Sequence, residues 1–598
     1  MIYYGLMMKF QRVLSGLTLA CTAFAAPTQT TQTTQTTQTT QPAPAGASAP
    51  PPQSALNAPL MYELLVSEML FGDGDAPDSV SLMLNAARRI NDEALYKRAT
   101  EMAIQSRSGP AAIETTRAWR QAFPKSAQAA QYELQVLIVL GRVAETREPL
   151  QHFLTTLPEA EQAPFITALP ALYQRVPDKP EAAHVVERAL ADAIKTPRLA
   201  PAAWTTVGRL RLQAGDKPGA LAAATLGMDA NAGSEWPALL ALQLMGAGEK
   251  QAEALVQRHL AGPQPVPEVR MGYARALVDQ GRVDEAQRQL DTLIARTPDN
   301  PDAWLVRGAL NADQRRDDAA ESDLRHYLAL LDASNQASNT NAAEGRDQAR
   351  LMLATLAERR GDYTAADKLL ASVESPERAL GAQTRRAQLL ARQGKLEEGR
   401  ALIRSVPELT PDDAQLKLLA EAQLLRDNGQ PQAAYELLSA ELQRDPDDDG
   451  LLYDAAMAAE RAGHVDLMEK LLRRLIALKP DAAHAYNALG YSLADRGERL
   501  PEAKALIEKA LSLSPDDGYM QDSLGWVNFR MGNVTQARTI LEAAFGKSPD
   551  PEIAAHLGEV LWTLGERDAA RAVWRKGQAL DADNDTLVNT LKRLRVSL

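Results

Sequence analysis

Asp522-Ser523-Leu524-Gly525, followed by Gly532, Ala537, Ala544 and Pro549, is the stretch whose reading decides the fold. Counted from Gly525, the later residues fall at offsets of 7, 12, 19 and 24. The segment before it repeats the order as Gly490, Gly497, Ala503, Ala510 and Pro515, with one extra residue in its turn. The segment after it gives Gly558, Gly565, Ala570 and Gly577, with Ala582 in place of the proline. Each unit reads as two amphipathic helices joined by a tight turn. Gly525, Ala537 and Ala544 are small because two helix backbones must approach there. Gly532 stands in the turn, where a positive φ is expected. Pro549 has no N–H to continue a helix. Acidic residues such as Asp516 and Asp517 then favour the start of the next helix through its dipole.

A period of 33 to 35 residues with this order of small residues resembles the tetratricopeptide repeat (TPR). The resemblance implies an all-α fold, a TPR solenoid in which helix pairs stack as a right-handed superhelix. No unit buries its apolar face alone, and stacking makes one continuous core. The repeat frame can be followed from about residue 55 to the end, over about fifteen units, several degenerate. In the fourth, Pro170 and Pro180 are expected to interrupt the helices. Residues 55–331 read as an N-terminal array and 346–583 as a C-terminal one. The Asn-, Ser-, Ala- and Gly-rich stretch 332–345 reads as a loop or hinge. Residues 584–598 read as a solvent-facing capping helix.

Aromatics are only 5% of the 598 residues, as suits helix packed on helix, and the net charge is −12 with no basic stripe. Nucleic acid is therefore excluded as a natural partner. Residues 1–25 read as an export signal, with Met8 a better start than Met1. Lys9 and Arg12 form the basic region, Val13 to Ala20 the apolar one, and Ala23-Phe24-Ala25 a small-x-small cleavage site. Cys21, the only cysteine, offers a second reading. Thr18-Leu19-Ala20-Cys21 is similar to a lipoprotein processing box, which would leave Cys21 lipidated and the protein anchored to the outer membrane. Either route takes the mature chain to the periplasm, with no intramolecular disulfide. Residues 26–54, rich in Thr, Gln, Pro and Ala, read as a disordered linker.

No catalytic or cofactor constellation is found. The seven histidines show no ligand spacing and there is no Gly-rich phosphate loop. Asp445-Pro446-Asp447-Asp448-Asp449-Gly450 mimics the start of a calcium loop, but its twelfth position is Ala456, so it reads as an acidic turn between repeats. No metal or cofactor is expected, and the many other acidic residues read mostly as a solvated face.

By the repeat's numbering, Trp204, Trp304 and Tyr486 take the fourth position and Trp574 the twenty-fourth, both of which pack between helices. Tyr491, Trp526, Phe529 and Trp562 fall at the ninth and twelfth positions of three successive units. The resemblance places them on the first-helix face lining the concave groove, as candidates for protein binding. The alternative is that the superhelix closes on them or the capping helix covers them. Beyond the repeat, Leu64-Leu65-Val66-Ser67-Glu68, Asn487-Ala488-Leu489-Gly490-Tyr491 and Ala555-His556-Leu557-Gly558-Glu559-Val560-Leu561-Trp562 resemble a family of large proteobacterial TPR proteins. That family includes the outer-membrane lipoprotein adaptor of the periplasmic carboxyl-terminal processing protease. The resemblance implies an exported, non-catalytic scaffold with protein partners, the protease and its cell-wall hydrolase substrates among them. Two other classes stay open: a scaffold for envelope polysaccharide export, and an enzyme whose site is assembled from the repeats. The second has little room, since the helical pattern uses every residue from Ala55 to Leu598.

Overall fold

A computed structural model describes residues 57–333 and 340–598. The export signal, Cys21 and the linker through residue 54 lie outside the described residues. Those residues form thirty-two α-helices and no strand, the all-α repeat read from the spacing. The described residues fall into two compact units, one ending at Val136 and the other beginning at Leu137. In the first, Asn57 caps the Ala58–Gly72 helix by accepting a bond from the Leu60 amide at 3.0 Å. That helix is pinned to Ala76–Ile90 by two reciprocal bonds. The Ser67 hydroxyl donates to the Ser79 carbonyl and the Ser79 hydroxyl to the Ser67 carbonyl, each at 2.8 Å and fully buried. Trp119 fills the middle of the unit and donates its indole N–H to Glu93 at 3.0 Å.

In the second unit the small residues do what their spacing implied. A Cβ added to Gly525 would lie 2.5 Å from Leu541 Cγ, so the Gly518–Arg530 and Val534–Lys547 helices cross where only glycine fits. Ala537 and Ala544 are fully buried in the same crossing. Gly532 turns between the two helices at φ +86°. Trp574, expected between helices, is completely buried against Gly558 and donates to the Ala555 carbonyl at 3.3 Å.

Three expectations are corrected. Pro170 does not interrupt its helix, which runs from Glu159 to Leu172 with both Pro164 and Pro170 inside it. Pro180 opens the next helix in its first turn, where no N–H is needed. Pro170 leaves the carbonyl of Ile166, four residues back, without its helical donor. The buried Thr206 hydroxyl, from the Ala200–Gln213 helix, supplies one at 2.7 Å. The stretch 332–345 is more helical than its composition suggested: one helix runs through Ala333 and the next begins at Thr340, leaving only 334–339 outside the described residues. Gly345 is no hinge glycine there. It is small because the Tyr327 hydroxyl sits where its Cβ would be. Nor are all the acidic residues a solvated face. Asp323, Asp347 and Glu421 are buried between helices, held respectively by Arg307, by the Glu374 and Ser375 amides, and by Arg400 with Arg404.

The last helix, Asp585–Leu594, buries Leu587 and Leu591 against the final pair and ends where Arg595 takes φ +55°.

Gly525→Leu is expected to overpack the crossing against Leu541 and cost about 1–3 kcal/mol, read as loss of amide-exchange protection in 518–547. Thr206→Val should strand the Ile166 carbonyl and cost about 1–3 kcal/mol. Adding Pro170→Ala, which restores the missing N–H, should recover most of the protection lost in 159–172.

Candidate functional site

The four aromatics come together on the first helices of three successive pairs, Ala483–Arg496, Gly518–Arg530 and Pro551–Thr563. They do not form an open apolar face. Trp526 is only 4% exposed. Its indole is stacked on the His556 ring, with centroids 4.2 Å apart and planes at 21°, and its N–H donates to Asp495 at 3.2 Å. Tyr491 is half-buried, and its hydroxyl donates to Glu552 Oε1 at 2.9 Å. That bond joins residues 61 positions apart, so the first helix of one pair reaches the first helix of the pair after next. Phe529 and Trp562 stay half-buried. Phe529 lies 5.3 Å from the Trp526 ring, and Trp562 carries the Arg567 guanidinium 3.6 Å above its centroid, a cation–π contact.

Behind the aromatics runs a buried polar chain that the residue spacing did not single out. His556 is 2% exposed, and its Nδ1 donates to the Asp522 carboxylate at 2.9 Å. Its Nε2 lies 3.4 Å from the Tyr491 hydroxyl, which in turn holds Glu552. Burial pushes the imidazole pKa down, but the carboxylates of Asp522, Glu552 and Asp495 outweigh it, and the net shift is upward. Burial also pushes the Tyr491 phenol far above its ordinary value, reinforced by Glu552 and Asp495, so it stays a neutral donor. Glu559, on the same helix as Trp562, is taken by Arg593 of the last helix in two bonds of 2.8 and 2.5 Å. Asp495 does remain exposed. One signal could have found the buried chain. Asp522 and His556 are 34 residues apart, one repeat period, so they sit side by side on neighbouring first helices.

Asn487, one turn before Tyr491 on the same helix, has a buried side-chain oxygen with no partner. This wall thus presents two half-buried aromatic rings and the carboxylate of Asp495, and holds one buried amide oxygen without a partner. Such a set can grip a polypeptide through ring faces and main-chain N–H groups. Among the described residues no group of three or more His, Cys, Asp or Glu side chains is placed to hold a metal ion, and no helix is long and apolar enough to cross a membrane.

The tetratricopeptide repeat family model matches residues 272–338, 348–414, 453–518 and 523–585. These four stretches carry tetratricopeptide repeats. It is similar to a TPR repeat-containing protein of Pseudomonas aeruginosa, 37% identical over 248 residues. That match spans 42% of this chain and 42% of the relative's length. Similar solved structures include a tetratricopeptide repeat protein of Parabacteroides merdae, 18% identical with a TM-score of 0.32, covering 41% of this chain and 98% of that one. Another is a thermophilic TPR protein of Thermus thermophilus, 23% identical with a TM-score of 0.28, covering 30% of this chain and all of that one.

The imidazole gives this wall a pH dependence with a definite sign. A folded-state pKa raised above the unfolded value of about 6.5 adds stability that is complete below that value and is lost as the pH rises through the folded pKa. His556→Asn keeps a donor toward Asp522 but cannot carry the charge. Amide protection of 551–563 in wild type should exceed that in His556→Asn most below pH about 6.5, and the gap should narrow as the pH rises. A gap that widens with pH would reverse the assignment.

Proposed function

We propose that this protein is a non-catalytic scaffold that binds other proteins, and that a partner segment lies along the wall formed by Asn487, Phe529 and Trp562. The observation that carries the reading is a pair of incompletely covered rings on neighbouring first helices, with the partnerless Asn487 oxygen on the first helix before them. A buried carbonyl oxygen left without a donor costs free energy that an incoming N–H recovers. Large rings half-covered in the free protein gain most when a second chain covers the rest. Trp526 and Tyr491 support this surface from behind by fixing its shape.

In its sharper form the proposal is an exported adaptor that brings substrates to a periplasmic carboxyl-terminal processing protease. The supports are the residues at both ends of the chain that resemble that family and the export signal read at residues 1–25. The mature protein then works in the periplasm, free after cleavage before Ala26 or anchored to the outer membrane through a lipid on Cys21.

Phe529→Ala with Trp562→Ala should weaken binding of the purified processing protease or its hydrolase substrate by about 2 kcal/mol or more, read by calorimetry. Circular dichroism should remain that of wild type. Asn487→Ala removes the oxygen with little loss of packing and should weaken binding in the same direction. Undiminished binding by both variants would place the partner elsewhere on the chain.

A further inference from the structure

The first described helix, Ala58–Gly72, is apolar on two sides. One side is spent within the chain: Leu60 and Ser67 are buried, and Ser67 is bonded to Ser79 of the next helix. At about 100° per residue, Tyr62, Leu65 and Met69 fall on the opposite side, with Met61 at its edge. Met61 is 51% exposed, Tyr62 71%, Leu65 53% and Met69 67%. Among the described residues, no other helix exposes more than two large apolar side chains. A helix that is apolar all round is built to be covered all round.

Charge and composition decide what covers it. The stripe itself carries no charge. The two carboxylates on the same helix are neutralised within the chain: Glu63 pairs with Arg89, and Glu68 accepts two bonds of 2.7 and 2.6 Å from Arg98. The segment just ahead of the helix brings nothing to lay on the stripe, since residues 27–54 contain no Val, Ile, Leu, Met, Phe, Tyr or Trp. A bilayer surface is the poorer match. A helix that lies on lipid carries Lys or Arg beside its apolar face, and this one has only Glu63 and Glu68. The last helix of the chain turns Asp585, Asn589 and Lys592 to solvent, so stacking copies head to tail would set apolar side chains on charged ones.

We propose that this face joins two copies of the chain about a two-fold axis at Leu65. A neutral apolar stripe does not repel its own copy, even though each chain carries a net charge of −12. Met61 and Met69 lie four residues on either side of Leu65. An antiparallel pairing therefore sets Leu65 on Leu65 and lays Met69 of each copy against Met61 and Tyr62 of the other. Such a contact is self-complementary and closes at two copies. The four side chains expose several hundred Å² per copy, a patch that a monomer rarely leaves bare. That area sits at the small end of specific interfaces, so the pairing depends on concentration.

The test is sedimentation equilibrium of the chain from Ala26 onward, across the micromolar range. Wild type should sediment as a dimer. Leu65→Glu sets two like charges at the axis and should raise the dimer dissociation constant about tenfold or more. Leu65→Lys should do the same. An equimolar mixture of the two variants should recover the dimer, because residue 65 of one copy faces residue 65 of the other, and recovery also shows that both variants fold. Phe529→Ala with Trp562→Ala should dimerise as wild type does, which keeps this result separate from binding at the C-terminal aromatic wall. The proposal is overturned if wild type stays monomeric, if Leu65→Glu dimerises as well as wild type, or if the two variants, each with the circular dichroism of wild type, fail to pair when mixed. Flotation of wild type but not of Leu65→Glu with phosphatidylcholine vesicles would assign the face to lipid and overturn it as well.

Discussion

Contact between helix backbones at glycine and alanine is the constraint on which the rest depends. Where Gly525 meets Leu541, no atom beyond Cα is tolerated, and the crossing of that pair is thereby fixed. Fixed crossings make successive pairs stack in register, so residues one period apart become neighbours in space. The Asp522–His556 pair and the Glu559–Arg593 pair are each separated by 34 positions. Both exist because small residues elsewhere hold the helices at one spacing. Packing is thus the cause, and the polar pairs exploit the register it creates.

The same register explains how a chain this long tolerates local faults. Pro164 and Pro170 sit within one helix, which ordinarily costs several kcal/mol. The Thr206 hydroxyl removes part of that cost by donating to the stranded Ile166 carbonyl. Buried Asp323, Asp347 and Glu421 each have donors on the helix or turn they face. Against that background of satisfied groups, side-chain atoms of His152, Thr205, Arg209, Gln287 and Asn487 stand out as buried polar atoms with no partner.

The repeat itself was legible from residue spacing because its determinants are local. Gly525, Gly532, Ala537, Ala544 and Pro549 lie within 24 residues, and each has a steric reason to be what it is. Features that depend on contact between units were hidden. Trp526 reads as a groove residue by position, but His556 from the next unit covers it, and Tyr491 reaches past that unit to Glu552. Composition also misled at 332–345. Its Asn, Ser and Gly content suggested an open loop, while Gly345 in fact answers to Tyr327 from the helix before. The pairing of charges was equally out of reach, since an Asp or Glu on a helical pattern looks the same whether it faces water or an arginine 34 residues away.

The reach of Tyr491 to Glu552 changes how the end of the array shares its stability. Repeat stacks are ordinarily coupled only between nearest neighbours, so a fracture can open at any interface and travel one unit at a time. Here a hydrogen bond spans an entire unit, and the last helix adds a two-pronged ion pair from Arg593 to Glu559. The segment from Ala483 to Leu594 therefore behaves as a single mechanical block, and the middle pair cannot fray without breaking bonds made by units on both sides of it. A stack opening from its C-terminus would therefore release the aromatic wall in one step and not one helix pair at a time.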